Sequence, residues 1–378
     1  MIPAILIPSF RSNQLFFGIQ LKRSLNLSLI LCSFFVLTVQ GQRFKSDIFT
    51  SIDSNVNVRY GEATNIKNEM ETLMLDVFMP SADTMKKRPL IVFIHGGGFQ
   101  NGNRKVSITQ RTVRQFVPKG YVVSCISYRL GIEDPKSNKD YAEAMYRAQQ
   151  DARTAIRFLK ANATRWNIDT AQVFVCGTSA GAMTSLALAY MDEQEVPKEV
   201  NINKWGPLEG NKENNAYSSK VKAVMNLWGS MIDYRWINQG DVPLYNTAGT
   251  EDKTVPYDSS FSYHNFKYGP YILYQHSLAT GIPTSWRAFY GVGHTLDSKK
   301  PMLDSCFSEM SDWLFTQLKS NSPLNRRSIK RNKARNHRIT AIGSPANIPI
   351  MPLLPVFAKL QEKSPLICPK SRFTQIFS

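Results

Sequence analysis

Ser179 has the setting that most directly suggests chemistry. It stands at the centre of Gly177-Thr178-Ser179-Ala180-Gly181. The apolar run Ala171 to Cys176 before it reads as a short buried strand, and Met183 to Ala189 after it as a buried helix. A serine flanked by small residues between a strand and a helix sits on a turn too tight for bulky neighbours. Such a turn holds the hydroxyl out at the end of the strand, with the positive end of the helix dipole behind it. The chemistry this suits is nucleophilic attack on a carbonyl carbon.

Attack on a carbonyl creates an oxyanion, and a second motif supplies donors for it. Pro89 to Ile94 reads as another buried strand and runs into His95-Gly96-Gly97-Gly98-Phe99, about eighty residues before Ser179. Consecutive glycines let backbone N–H groups approach a ligand closely. The expected donors are the N–H groups of Gly97 and Gly98, with that of Ala180 as the third. His95 is read as a residue that orients this loop through its ring nitrogens rather than as a reacting group.

The serine needs a base, and the base an orienting carboxylate. Of the five histidines, His294 follows the strand-like Ser285 to Phe289 on the Gly-rich Tyr290-Gly291-Val292-Gly293 and precedes a helix over about Pro301 to Leu318. His264 and His276 fall in Ser260–Leu278, which reads as a helix. For the acid, the strand-like Pro243 to Ala248 leads into Gly249-Thr250-Glu251-Asp252. Asp252 is the first choice and Glu251 the alternative. The chain order Ser179, Asp252, His294 is that of the α/β-hydrolases.

With these residues in view, the sequence resembles the α/β-hydrolase superfamily. Within it the chain is similar to HGGG-bearing carboxylesterases related to hormone-sensitive lipase and to secreted bacterial acetyl- and feruloyl-esterase-like enzymes. Leu75 to Pro80 resembles the second strand of such enzymes, and Ser127-Tyr128-Arg129-Leu130 the segment after the fourth. Asp151 to Leu159 resembles the helix before the nucleophile strand, and Gly249 to Pro256 the acid loop. The resemblance spans about Ser54 to Leu318. It implies a mostly parallel eight-stranded sheet with helices on both faces, and says little about substrate.

The elements agree. Strands alternate with helical stretches from Leu73 to Phe289, which argues for a parallel sheet covered on both sides. Helices are expected over Ile108–Val117 and Tyr141–Ala163, before and after the fourth strand. The polar segment 192–220, with Pro197, Gly206, Pro207 and Gly210, breaks the rhythm. It reads as an insertion above the active site forming a lid or substrate wall, or else as a plain surface loop.

Both ends differ from the middle. Lys22-Arg23, the apolar run Leu25 to Val39 and Gln40-Gly41-Gln42 have the regions of a secretory signal peptide, with cleavage after Gly41. That run is shorter than the ~20 residues a spanning helix needs. A secreted or periplasmic location, without a stable membrane span, is therefore expected for a catalytic region of residues 42–318. Residues 319–378 form a basic, Pro-containing tail that reads as a disordered extension. The tail carries +11 of the net charge of +17, and residues 1–41 carry +3. The catalytic region keeps only +3, so the basic balance does not mark it as a nucleic-acid binder. Cys125 and Cys176 read as buried free thiols in core strands, while Cys306 and Cys368 pair only if the tail folds back. No cysteine or histidine spacing suggests a metal, and no phosphate loop is present.

The expectation is a secreted serine esterase without metal or organic cofactor, acting on a small-molecule or carbohydrate-linked ester. A catalytically inactive hydrolase-fold binding module is the alternative from another class, and a lipase or peptidase the alternative within the same chemistry. The sequence leaves the acyl group, the alcohol and the oligomeric state open.

Overall fold

The computed structural model describes residues 43–262, 265–294 and 300–319. The chain divides into two units, Met1–Ser320 and Asn321–Ser378. The second unit, like the signal peptide expected over 1–41, lies outside the described residues.

Eight strands form one sheet: β1 (Ile52–Thr64), β2 (Met70–Pro80), β3 (Arg88–Ile94), β4 (Val122–Ile126), β5 (Ile168–Thr178), β6 (Ala223–Leu227), β7 (Leu244–Gly249) and β10 (Thr284–Phe289). Their spatial order is β1-β2-β4-β3-β5-β6-β7-β10. The first two ladders, β1 with β2 and β2 with β4, are antiparallel, and every later one is parallel. Parallel strands need long crossovers, here mostly helical: α1 (Ser107–Phe116), α2 (Asn138–Ala161), α3 (Ala180–Tyr190), the short α4 (Ile202–Trp205), α5 (Pro270–Ala279) and, after the last strand, α6 (Lys300–Lys319).

Burial on both faces explains why the central strands are apolar runs rather than alternating patterns. Every residue of β3 is buried. Leu90, Val92 and Ile94 pack with α2 and α3, including Met145, Ile156 and Leu186. Ile91 and Phe93 point the other way, into a second core with Val113 and Phe116 of α1 and Phe307, Met310 and Leu314 of α6. Cys125 and Cys176 are buried thiols in the same core, as is Cys306.

One stretch differs from its reading as a helix. Residues 260–278 divide into a hairpin, β8 (Ser259–Ser262) with β9 (Asn265–Tyr268), and the helix α5. Pro270 at the first turn of α5 sets where the helix begins. Tyr268 is held extended before it, exchanging both backbone hydrogen bonds with Met231 at 2.8 and 2.9 Å. That long-range bridge overrides local helical spacing. His276 lies on α5 against Tyr234, with its Nε2 2.9 Å from the Ile237 carbonyl. His264 falls outside the described residues.

The segment after β4 is locked to α2 by a buried ion pair. Arg129 Nε and backbone N–H donate to Asp151 at 2.8–3.0 Å, and its guanidinium also reaches the Thr64 carbonyl and Gln150 Oε1. Removing one partner strands the other charge without water. Arg129→Met is therefore expected to lower unfolding stability by about 3–5 kcal/mol. Denaturant melts at neutral pH check this, and a loss below ~1 kcal/mol would match an exposed pair instead.

Candidate active site

Ser179 is the single residue between β5 and α3. It adopts φ 50°, ψ −121°, a region non-glycine residues avoid. Such a conformation costs about 1–3 kcal/mol and persists only where its surroundings hold it. Its N–H donates to the Leu227 carbonyl at the end of β6 (3.0 Å), and its carbonyl accepts from Met183 N–H (2.9 Å). The motif glycines are required by contact. A Cβ on Gly181 would lie 2.1 Å from the Ile94 carbonyl oxygen, and one on Gly177 2.3 Å from the backbone of Gly181.

The parallel pairing of β7 and β10 brings in the other two groups. The ladder ends with Gly249 opposite Phe289, so the loops beyond both strands leave from the same edge. They are stitched by Thr250 N–H to the Phe289 carbonyl (3.0 Å), Glu251 N–H to the Val292 carbonyl (2.9 Å) and Gly291 N–H to Thr250 Oγ1 (3.0 Å). His294 Nε2 lies 2.9 Å from Ser179 Oγ, and its Nδ1 2.7 Å from Asp252 Oδ2. The carboxylate can only accept, which puts the imidazole proton on Nδ1 and leaves Nε2 to accept from the serine hydroxyl. Asp252 has no exposed side-chain surface. Its Oδ1 accepts from the N–H groups of Thr254 and Val255, both at 2.9 Å, and this aims Oδ2 at the imidazole. Glu251, the alternative acid, is exposed.

The glycine loop follows β3 and faces the same opening. Gly97 and Gly98 have φ of 114° and 62°. The Gly97 carbonyl accepts from the N–H groups of Gln100 and Asn101 (3.1 and 3.0 Å), which turns the loop back on itself. Ala180 is the first residue of α3, where an N–H has no intrahelical partner. Gly97, Gly98, Ser179, Ala180 and His294 all line one cleft of about 630 Å³.

His95 supports the loop from below. Its ring stacks on Tyr128 with centroids 4.4 Å apart, and Nδ1–H donates to the Gly96 carbonyl at 2.7 Å. Tyr128 Oη in turn donates to the His95 carbonyl at 3.0 Å. Nε2 is buried without a hydrogen-bond partner among the described residues. Burial therefore pushes the imidazole pKa down from 6.5 to about 4, and the ring is neutral in the folded protein. Unfolded, it takes up a proton near pH 6.5. Between these values the unfolded chain holds the extra proton, so this contribution to stability is full above pH 6.5 and lost as pH falls toward 4. The expected slope is up to about 1.4 kcal/mol per pH unit from this one group. His95→Asn should show a shallower decline in stability over that window. Parallel declines would place the proton uptake elsewhere.

The segment 192–220 does not contribute to the cleft. It clasps α2 instead. Gln150 Nε2 donates to the carbonyls of Trp205 and Pro207 (2.9 and 2.7 Å), and Gln149 Nε2 to that of Leu208 (3.0 Å). Arg157 holds the Glu209 carbonyl (2.7 Å), and Lys160 Nζ those of Ser218 and Lys220 (2.7 and 2.6 Å). Among the described residues, none from this segment lines the cleft. The two readings of this segment are a lid or substrate wall and a plain surface loop, and the hydrogen bonds it makes here run to α2. The polar faces of Gln149, Gln150 and Arg157 give these loop carbonyls their partners along α2.

The wall is built from elsewhere: Val106 and Ile108 at the start of α1, Tyr141 of α2, Met183 of α3, Trp228 after β6 and Lys267 of β9. Sequence reasoning missed Trp228 and Lys267. Trp228 has a positive φ of 47° and is tied to the Thr247 carbonyl by its N–H at 2.8 Å. No local pattern marks it. Lys267 lies in the stretch Ser260–Leu278, which reads as a helix, and no local pattern marks it either.

The sheet order, its two antiparallel ladders and a serine on the turn after β5 are those of the α/β-hydrolase fold. The chain has the α/β-hydrolase fold, and the BD-FAE family model matches residues 75–235, less than half of the chain. That match contains the glycine loop and Ser179 but ends before Asp252 and His294. Among curated proteins the chain is similar to neuroligin-like protein glit-1 of Caenorhabditis elegans, 35% identical over 114 residues, which are 30% of this chain and 15% of that protein. It is also similar to gut esterase 1 of the same organism, 27% identical over 112 residues, 30% of this chain and 20% of that protein. The chain thus matches a fifth or less of these relatives' length. Among solved structures, apo Thermogutta terrifontis esterase 2 superposes with a TM-score of 0.53 at 19% identity, covering 74% of this chain and 99% of that one. A truncated carbohydrate esterase from gut microbiota gives 0.50 at 18% identity, covering 72% and 98%. Among the described residues no helix is long and apolar enough to cross a membrane.

Proposed function

We propose that this protein is a secreted serine esterase that hydrolyses carboxylic esters through Ser179, His294 and Asp252. The observation that carries the reading is the continuous chain from Ser179 Oγ through the imidazole to a buried carboxylate, at 2.9 and 2.7 Å. It opens on a cleft that also presents Gly97, Gly98 and Ala180.

In this reading Ser179 Oγ attacks the ester carbonyl as its proton passes to His294 Nε2. The carbonyl π pair moves onto oxygen, and the N–H groups of Gly97, Gly98 and Ala180 hold the resulting charge. These donors are fixed in place beforehand, so little reorganisation is needed when the charge forms. Collapse expels the alcohol, which takes the proton from His294 and leaves Ser179 acylated. Water then attacks the acyl-enzyme with His294 as base, and the acid departs. Asp252 holds Nδ1–H throughout and favours the imidazolium by its charge. None of these steps calls for a metal or an organic cofactor.

The secreted location rests on the leader-like residues 1–41. Phe44 docks against Tyr121, with ring centroids 5.2 Å apart, so the folded unit takes in residues close behind the expected cleavage point. Turnover of p-nitrophenyl esters, acetylated xylan and feruloylated sugars tests the activity. Fluorophosphonate labelling, read by mass on the peptide containing Ser179, tests the nucleophile. A folded protein that neither turns over esters nor takes the label would favour a non-catalytic binding role, the reading raised by the name of the neuroligin-like relative.

A further inference from the structure

The segment 192–220 clasps α2, and one contact of that clasp continues to the glycine loop. Trp205, the last residue of α4, is buried, and the Arg147 guanidinium of α2 lies over its ring, 4.4 Å from the centroid. The backbone of α4 is fixed to α2 on either side of this contact. Glu143 Oε1 accepts from Asn201 N–H at 3.1 Å, and Gln150 Nε2 holds the Trp205 carbonyl. Arg147 is itself buried. A guanidinium resting on an aromatic face has its planar fork fixed, so its N–H groups point in a set direction. Here Nη2 donates to the Gly131 carbonyl at 2.6 Å.

Gly131 passes the contact on. Its N–H donates to the Phe99 carbonyl at 2.8 Å. Gly131 has φ 118°, and a Cβ on it would lie 2.5 Å from Ile66 Cδ1, so this loop has little room to slide. Phe99 directly follows Gly98 and falls inside the turn that the Gly97 carbonyl closes with Gln100 and Asn101. With φ 62°, it holds a left-handed conformation that a phenylalanine keeps only where its surroundings enforce it. Its ring packs edge-on against Tyr128 and Tyr141, at 6.4 and 5.5 Å between centroids. Gly131 secures its carbonyl end. Relaxation of Phe99 toward negative φ would turn the Gly98–Phe99 peptide and carry the N–H groups of Gly97 and Gly98 with it.

We propose that Arg147 and Trp205 are positioning residues for the glycine loop. The stacked guanidinium holds Gly131, Gly131 holds Phe99, and the strained turn at Phe99 aims the Gly97 and Gly98 N–H groups at the oxyanion. Neither Arg147 nor Trp205 lines the cleft. The proposal rests on the esterase reading and gives the segment 192–220 a part in transition-state binding without a place at the cleft. Oxyanion donors act mainly in the transition state, and a misplacement of about 1 Å can cost about 10²-fold in rate. The signature is therefore a loss in kcat with KM nearly unchanged. Ile132 and Pro135, which follow Gly131, do line the cleft, so a disturbed wall would appear in KM instead.

Kinetics with p-nitrophenyl butyrate test this. Arg147→Met and Trp205→Leu are each expected to lower kcat about 10- to 100-fold while KM changes less than about threefold. Trp205→Phe keeps an aromatic face under the guanidinium and should keep kcat within about threefold of wild type. The double variant should fall no further than the worse single one, because both residues act through one contact. Inhibition by n-butylboronic acid gives a second readout. Its tetrahedral adduct on Ser179 places an oxygen among the same donors, so it should weaken by about the factor lost in kcat.

Lys160→Met separates this from a general loosening of the clasp. Lys160 holds the Ser218 and Lys220 carbonyls at 2.7 and 2.6 Å, within the same clasp but apart from Gly131. Its loss should lower the melting temperature and leave kcat within about twofold of wild type. The proposal is overturned by wild-type kcat in folded Arg147→Met or Trp205→Leu protein. A loss confined to KM, or an equal kcat loss in Lys160→Met, overturns it as well. If Arg147→Met does not fold, the contrast between Trp205→Leu and Trp205→Phe decides by the same criteria. Absence of turnover in the wild type would count instead against the esterase reading.

Discussion

Ser179→Ala is expected to lower kcat/KM for p-nitrophenyl butyrate by on the order of 10⁴-fold or more, with the fold retained. The triad residues act as a unit, so losing the nucleophile removes nearly everything that the base and its carboxylate contribute. In the proposed mechanism, what remains is the set of donors at Gly97, Gly98 and Ala180, which would still bind and polarise a carbonyl. The melting temperature should change little, because alanine meets the same backbone demand at φ 50° and the hydrogen bonds that hold the turn run through the main chain. Steady-state kinetics beside a thermal melt check both halves. A folded variant with near-native turnover would remove Ser179 from the mechanism.

Asp252→Asn is expected to slow turnover by roughly 10³- to 10⁴-fold, against less than about tenfold for Glu251→Gln. The size of the effect follows from how Asp252 is held. Its Oδ1 accepts two backbone N–H bonds, from Thr254 and Val255. An asparagine placed there must turn its carbonyl oxygen toward those two donors, which leaves the amide NH₂ facing His294 Nδ1. A donor facing Nδ1 forces the imidazole proton onto Nε2, and Nε2 can then no longer accept from Ser179. Glu251 is exposed, and its backbone N–H donates to the Val292 carbonyl. The opposite ranking of the two variants would move the orienting role to Glu251.

These expectations draw unequally on sequence and structure. The nucleophile turn and the glycine loop are legible because each is a local arrangement. A short strand, a run of small residues and a following helix impose the turn whatever lies around them, and the observed β5, Ser179 and α3 sit where that reading puts them. The alternation of largely apolar strands and helices likewise implies a parallel sheet covered on both faces, since strands buried on both sides read as near-continuous apolar runs.

Other features were out of reach. Glu251 and Asp252 are neighbours of similar chemistry, and nothing local says which one turns inward. The stitching of the β7 and β10 loops decides it, forty residues apart in sequence. The hairpin over Ser259–Tyr268 looks helical by spacing and becomes extended because Tyr268 pairs with Met231. The segment 192–220 reads by composition as a lid or as a surface loop, and the polar groups of Gln149, Gln150 and Arg157 draw it onto α2.

By itself, then, the sequence determined the sheet, the serine turn and the glycine loop beside it, because each depends on neighbours a few positions away. Only the tertiary structure decided which acid meets His294, which segment walls the cleft and that Lys267 faces into it. Those choices depend on which distant backbone groups find hydrogen-bond partners once the sheet has closed, and chain order does not encode that competition locally.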